Sequence, residues 1–553
     1  MSTVKDAFRL LFRSKILIAI MTFLMFFCIW ESASWYGKSC GVTEPLGNAM
    51  TLSIYLYIIM LFVSYEFFRK YYNNGIAETI LVTKKGKKRV NYISAFVVLT
   101  LYAIVISFIL GAIVIAEYLY FKIEDPNNEY IIHIIWNIIV NDFIIMEIGC
   151  VIGASLAVLR HRVGAYVVMT FLALVISPYM WSVANLFYIS GGAQAGKKAY
   201  GVLYFFNLMP RLDLKWLPLE EFGEPLLPYR LFIMMFWIMG FITFICFTRK
   251  FQIKYRILSI VLCILALEGY LYPSSRVEVD FSPSSGMGYD FAYCMDNPDF
   301  ISKNEKADYS ITQYNMELSI KLNLSAKVDM KVSESKKEYK MTLYHKYKVN
   351  SVFDQDGNEM EFKQNYDYLA IKNIKENNVT NIIINYKGSA PAFYSNYQGC
   401  YLPGYFAYYP RAGYIELYDM DYGWVRDNFV EPDTLFVVKI DSAEDYISNL
   451  KLKDGVFSGQ CDGFTLIKGF YKKKDLGNGN TLVYKYLDNN VIHDGIKSEE
   501  ECWEEFFAIS KENLQCDGIT NTMIFPNSAL GNSKDKIAGK NQVFLTSEPI
   551  MYY

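Results

Sequence analysis

The stretch ISAFVVLTLYAIVISFILGAIVIAEY, residues 93–118, decides the fold. It contains no Lys or Arg, and its one acid, Glu117, stands next to its end. A run this long and apolar crosses about 30 Å of hydrocarbon as a helix. Working outward, six further stretches qualify as spans, some with help from flanking aromatics: about 16–31, 50–68, 142–159, 163–187, 230–248 and 256–272. Beyond 272 they cease. Residues 1–272 hold 24 Lys and Arg against 16 Asp and Glu, a balance of +8, whereas residues 273–553 hold 30 against 40, a balance of −10. The whole chain is 53% hydrophobic and only 20% charged, against roughly 25% charged in soluble proteins. The composition therefore describes a membrane half, with the lipid bilayer as partner, joined to a polar, acidic half facing water. A single soluble domain is excluded, and no broad basic face for nucleic acid exists.

Lys and Arg in short loops give the direction. Basic residues cluster before the first span (Lys5, Arg9, Arg13, Lys15) and after the second (Arg69, Lys70, Lys84, Lys85, Lys87, Lys88, Arg89). They recur after the fourth (Arg160, Arg162) and around the start of the seventh (Arg249, Lys250, Lys254, Arg256). The alternate loops 32–49, 119–141 and 188–229 are neutral or acidic. The amino terminus is thus expected in the cytoplasm of a cell; the alternative is that the first apolar run is a cleaved signal peptide, which the small residues Ser32, Ala33 and Ser34 would permit. Phe8, Leu10, Leu11 and Phe12 among basic residues read instead as an amphipathic helix on the inner leaflet. The carboxy-terminal half is expected outside, across the cell membrane.

The longest inner stretch, EFFRKYYNNGIAETILVTKKGKKRVNYISAF from Glu66, carries Gly75 and Gly86 as breakers and a short helical run, Ile76–Val82, between them. Ile76 with Ile80, and Ala77 with Leu81, form an apolar stripe that Glu78 faces away from. Two readings fit: a lever that a cytoplasmic partner pushes, or a basic loop lying on anionic lipid. The stretch resembles the first cytoplasmic loop of ATP-binding-cassette permeases of the type-2 exporter class, through Glu66, Gly75, Glu78, Ile80, Leu81, Val82, Thr83 and Arg89. The long outer loop 188–229 agrees, since that class places re-entrant helices there. The resemblance covers about residues 1–250. It implies a separate cytoplasmic ATPase docking on Glu66, Gly75, Ile76, Glu78, Thr79, Ile80 and Leu81, and a second permease subunit, identical or paralogous. The seventh span departs from the six-span pattern and is read as carrying the tail across. ATP and magnesium belong to the partner: Gly191–Lys198 imitates a phosphate loop but has Lys198 where Ser or Thr must reach magnesium, and it sits on an outer loop.

From Tyr309 the apolar period becomes two, as in half-buried strands: 309–314, 316–324, 339–344, 368–371, 382–386, 435–440, 464–470 and 481–486, with turns at 354–358 and 477–480. This predicts a β-sandwich over 309–490 after a linker at 273–308, with a small helix and strand tail over 491–553. The order resembles the amino-terminal saddle of gluzincin aminopeptidases, in Tyr314–Leu318, Ile383–Gly388, Tyr408-Tyr409-Pro410, Gly469-Phe470-Tyr471 and Thr522–Pro526. The H-E-x-x-H pair that zinc peptidases need is missing, since the chain has only His133, His161, His345 and His493. His345 and His493 are read as solvated, and no metal, cofactor or catalytic residue is expected. The alternative function is a membrane-anchored, catalytically inactive peptidase-like scaffold for extracytoplasmic peptides.

Of ten cysteines, Cys28, Cys150, Cys246 and Cys263 lie in spans, and Cys40, Cys294, Cys400, Cys461, Cys502 and Cys516 lie outside. Six outer cysteines allow 15 disulfide connectivities, with Cys502 and Cys516 the nearest pair. Glu147 falls inside the fourth span, where an ionisable group faces a pathway or partner helix, or stays protonated as a structural acid. Tyr55, Tyr57 and Tyr65 are read as interfacial anchors.

Overall fold

The computed structural model describes residues 2–35, 42–73, 92–121, 127–159, 161–180, 228–249, 251–272, 302–374, 378–419, 428–431, 433–487, 520–526 and 536–545, with short stretches between them that include 289–297 and Glu221. The chain forms two compact units, Met1–Trp216 with Leu226–Arg276, and Leu217–Pro225 with Val277–Tyr553.

The first unit is helical. Its helices are α1 (Ser2–Arg13), α2 (Lys15–Trp35), α3 (Glu44–Asn73), α4 (Tyr92–Phe121), α5 (Asn128–Leu156), α6 (Arg162–Ile176), α7 (Pro228–Thr248) and α8 (Ile253–Leu271). Among the described residues, α2 to α5 and α7 are long and apolar enough to cross a membrane. The stretch expected as a fifth span contributes the shorter α6, and α8 carries Lys254, Arg256 and Glu268. The fourth apolar helix begins at Asn128, not near 142. Asn127 caps it, its side-chain oxygen accepting from the backbone N–H of Glu129 (2.8 Å) and Tyr130 (3.4 Å).

Helix α5 packs unusually close to α3. A Cβ on Gly149 would lie 2.8 Å from the Tyr57 carbonyl oxygen, and one on Gly153 would lie 2.8 Å from the Tyr65 nitrogen. Two glycines four residues apart thus let the backbones approach, the small-residue mode of packing between apolar helices. Ser64 Oγ donates to the Cys150 carbonyl at 2.6 Å across the same seam. Tyr57 and Tyr65, expected as interfacial anchors, are instead fully buried in it.

Paired positions rise together from Tyr57–Gly149 to Leu61–Gly153, so α3 and α5 run parallel. Helix α7 runs with them, because Arg230 reaches Asn141 near its start and the Phe241 carbonyl accepts from Ser155 further along. Neighbours in sequence run the other way: Phe68 of α3 meets Phe96 of α4, Tyr118 of α4 meets Tyr130 of α5, and Tyr229 of α7 meets Tyr270 of α8.

The second unit is sheet-rich. Its first strands are β1 (Ile311–Ile320), β2 (Leu324–Val332), β3 (Glu338–Thr342), β4 (Lys348–Asp354), β5 (Glu361–Asn365), β6 (Tyr368–Lys372), β7 (Asn381–Gly388), β8 (Cys400–Leu402), β9 (Arg411–Ala412), β10 (Tyr418–Asp419) and β11 (Gly423–Trp424). There follow β12 (Leu435–Ile440), β13 (Ile447–Ser448), β14 (Lys451–Lys453), β15 (Val456–Gln460), β16 (Leu466–Lys468), β17 (Tyr471–Gly477), β18 (Asn480–Lys485), β19 (Met523–Pro526), β20 (Lys536–Ala538) and β21 (Gln542–Leu545). A seven-stranded sheet has the order β14-β15-β12-β1-β2-β7-β4, and a four-stranded one β5-β6-β3-β9. Alternation buries Tyr314, Met316 and Leu318 of β1 with Phe436 and Val438 of β12, and these join Tyr339 and Met341 of β3 and Leu369 and Ile371 of β6 in one core. Such side chains each contribute about 1.5–3 kcal/mol on full burial. The run expected as one strand over 316–324 is a hairpin, since the chain turns at 321–323 between β1 and β2. Residues 273–308, read as a linker, include the helix α9 (Tyr289–Asp296). A five-stranded sheet, β17-β18-β19-β21-β20, forms the tail, with β19 parallel to both β18 and β21.

Candidate functional site

The interior of α5 carries the most polar chemistry of the helical unit. His133, Asn137 and Asn141 follow at intervals of four, which places them on one face of a helix. Asn137 Nδ2 donates to His133 Nε2 (2.9 Å) and to the His133 carbonyl (3.0 Å), and Asn141 Nδ2 donates to Asn137 Oδ1 (3.1 Å). At the far end Arg230 Nη2 of α7 donates to Asn141 Oδ1 (3.0 Å) and to the Leu208 carbonyl (3.1 Å). Every member of this ladder is buried. A buried polar chain of this kind holds helices in one register when its groups are satisfied.

The helix changes character where the ladder ends. Ile139–Phe143 forms a π turn, and the Ile144 N–H reaches back five residues to the Ile139 carbonyl. Single π turns are inserted residues that displace side chains and frequently mark functional positions. This one contains Asn141 and Asp142. Asp142 is 0% exposed, and neither carboxylate oxygen has a hydrogen-bond partner among the described residues. Cys28 of α2 is its near neighbour. Glu147 lies beside Thr100 of α4, and one of its oxygens is buried without a partner among the described residues. Glu117, at the other end of α4, is buried as well. Sequence reading singled out Glu147 and passed over Asn137, Asn141, Asp142 and Arg230. The four-residue spacing of His133, Asn137 and Asn141 was the available signal.

Of the expected docking residues, Glu66 is described. It joins the end of α3 to the start of α6: Tyr166 Oη donates to its Oε1 at 2.6 Å and Arg162 Nη2 at 3.1 Å. Lys70 Nζ donates to Ser14 Oγ at 2.7 Å, tying α3 to the junction of α1 and α2. Gly75, Ile76, Glu78, Thr79, Ile80 and Leu81 lie outside the described residues, as do Cys502, Cys516 and His493. The described cysteines of the second unit, Cys294, Cys400 and Cys461, are free thiols.

In the second unit His345 corrects an expectation. It is buried, not solvated: Nδ1 lies 2.9 Å from Asp367 Oδ1, Nε2 lies 3.8 Å from Asp290 Oδ1, and the Tyr293 ring of α9 stacks on the imidazole with centroids 3.6 Å apart. Tyr344 Oη donates to Asp290 Oδ1 at 2.8 Å. Burial outweighs the favourable Asp367 and holds the imidazole below its ordinary range. Burial first, then Asp367, pushes Tyr293 up to about 12, and burial with Asp290 pushes the Cys294 thiol up to about 11.

The resemblance to zinc aminopeptidases makes zinc the metal to test. Among the described residues no group of three or more His, Cys, Asp or Glu is placed to hold a metal, and Nδ1 of His345 is engaged by Asp367. These residues do not fit a catalytic zinc, which needs three protein ligands and an open position.

A second network secures the segment between α6 and α7. Glu221 is buried in the second unit, its Oε1 3.2 Å from Lys485 Nζ, its Oε2 accepting from Tyr394 Oη, and its carbonyl accepting from the Phe470 N–H at 2.6 Å.

No protein-family model matches the sequence, and comparison with characterised proteins finds no match. Solved structures do. The chain is similar to leukotriene A4 hydrolase from Saccharomyces cerevisiae, at 11% identity and a TM-score of 0.30, over 46% of this chain and 43% of that one. It is also similar to an M1 zinc metallopeptidase from Deinococcus radiodurans, at 10% identity and a TM-score of 0.26, over 44% of this chain and 61% of that one. The chain spans less than two thirds of either protein. Its structural neighbours are thus aminopeptidase-like at low coverage.

Proposed function

We propose that the chain is the permease subunit of an ATP-binding-cassette transporter, an exporter or extractor with seven spans. In this reading α1 is the inner-leaflet elbow helix, and α6 and α8 supply the two spans beyond the five long helices. A separate cytoplasmic ATPase, holding ATP and magnesium, docks on the 69–92 segment, and a second permease subunit completes the path. The sheet-rich unit lies outside and receives or senses the substrate. The chain itself is not an enzyme.

One observation carries the reading. The up-and-down order of the helices brings Arg13, Arg69, Lys70, Arg162, Arg249, Lys254 and Arg256 to one end of the bundle, the end at which α3 stops and α4 starts. A basic end on a bundle of membrane-length helices supports a cytoplasmic face there, and α3 ends and α4 begins at that same end. The test is affinity purification of the full chain from its native membrane. Recovery of a cassette ATPase whose hydrolysis the chain stimulates is the expected result. Purification without any ATPase, with a bound extracytoplasmic peptide instead, would replace the proposal with the scaffold reading.

A further inference from the structure

We propose that Asp142 is a proton-binding site at the centre of the helix bundle, exchanging its proton with the aqueous phase. The inference goes beyond the transport reading and does not depend on an ATPase.

Position comes first. Helix α5 runs from Asn128 to Leu156, so Asp142 stands at its midpoint, about 21 Å along the axis from either end at 1.5 Å per residue. In a helix of this length crossing a bilayer, that point is the midplane. Burial comes second. The side chain is 0% exposed within this one chain and neither oxygen is hydrogen-bonded among the described residues. A side chain so enclosed is out of reach of a partner subunit and of any substrate of several atoms.

Chemistry then selects the ligand. A metal cation needs several ligands, and among the described residues Asp142 belongs to no group of three or more His, Cys, Asp or Glu placed to hold one. A proton needs one oxygen. An ionised carboxylate without hydrogen bond or counter-charge is strongly disfavoured in an apolar interior, and such a group neutralises itself by taking up a proton. The groups on the elements packed against the turn do not change this. Cys28 of α2, the near neighbour, is neutral or an acid; of the two elements packed on the turn, α4 carries no Lys or Arg, and the cations of α3, Arg69 and Lys70, stand at its far end, donating to Tyr65 and Ser14. The cation Arg230 of α7 is engaged by Asn141 and the Leu208 carbonyl. The π turn supplies the last element: it sets Asp142 on a stretch that departs from α geometry, a departure found frequently at functional positions.

The experiment uses the full chain in lipid nanodiscs, with aspartate carboxyls labelled with carbon-13, read by infrared spectroscopy at neutral pH. The expected result is a protonated-acid carbonyl band that carries the isotope shift, moves again in heavy water, and is lost in Asp142→Asn. It should persist in Glu147→Gln and Glu117→Gln. Should Asp142→Asn fail to fold, Asp142→Glu gives the same assignment, the isotope-labelled band being replaced by an unlabelled one. Carboxylate bands in place of the acid band would overturn the proposal, and so would an acid band that never responds to heavy water.

Discussion

Glu221 offers a quantitative test of the second unit. Its carboxylate is buried, faces Lys485 at 3.2 Å and accepts from Tyr394, while the Lys485 side chain is only 13% exposed. Glu221→Ala leaves the ammonium in a largely dry site without this counter-charge and takes away an acceptor of the tyrosine. Removing one partner of a buried pair costs about 3–5 kcal/mol, and the residual exposure of Lys485 places the expected loss near the lower figure, about 3 kcal/mol. At 1.4 kcal/mol per factor of ten, the opened population rises about 150-fold. Native-state proteolysis of the full-length chain in detergent reads that population directly when reclosing is faster than cleavage. The double variant Glu221→Leu with Lys485→Met removes both charges and should recover to within about 1 kcal/mol of the wild type. Cleavage of Glu221→Ala at the wild-type rate would refute the argument, as would a double variant no better than the single one.

Further predictions concern the helical unit, the sheet-rich unit and the docking segment. Gly153→Val places a side chain against the α3 backbone, whose Tyr65 nitrogen is 2.8 Å from the new Cβ position; overpacking of this kind costs about 1–3 kcal/mol, so the melting temperature in detergent should fall, and an unchanged melt would disprove the close packing. Below its ordinary pKa near 6.5, the unfolded form of His345 binds a proton that the folded form, with its lowered pKa, refuses. Stability of the sheet-rich unit is therefore full above that value and declines on acidification from pH 7 to 5; His345→Gln should flatten part of the decline in urea titrations, and an identical slope would refute the assignment. Under the transport reading, Glu78→Lys should abolish stimulation of the partner ATPase while the chain still reaches the membrane, and undiminished stimulation would count against docking at that segment.

The apolar helices were legible because nothing competes with hydrophobicity over such lengths: 93–118 in sequence is inside Tyr92–Phe121 in structure. The start of α5 was hidden by its own chemistry. His133, Asn137 and Asn141 lower the local hydropathy, so a loop is expected over 119–141 where the helix buries them on packed faces. Strand β12 coincides with the expected 435–440 because its alternation is uninterrupted. The β1–β2 turn was missed because Lys321, Leu322 and Asn323 continue the alternation through a reversal of the chain. His345 looked solvated since its burying partners, Asp290 and Tyr293, come from a helix far away in sequence. Proximity across the chain leaves no local pattern.

The division of the chain has a practical outcome for anyone dissecting it. The sheet-rich unit is discontinuous: it takes in Leu217–Pro225 as well as everything from Val277 onward. A soluble fragment begun at Val277 would lack Glu221 and leave the Phe470 N–H without the carbonyl that now accepts it. A truncation at Arg276 would instead retain a piece belonging to the missing half. A faithful excised fragment therefore has to graft 217–225 back, supplied in trans as a peptide or spliced ahead of residue 277, and its gain in folding over the ungrafted version measures what the inserted strip contributes.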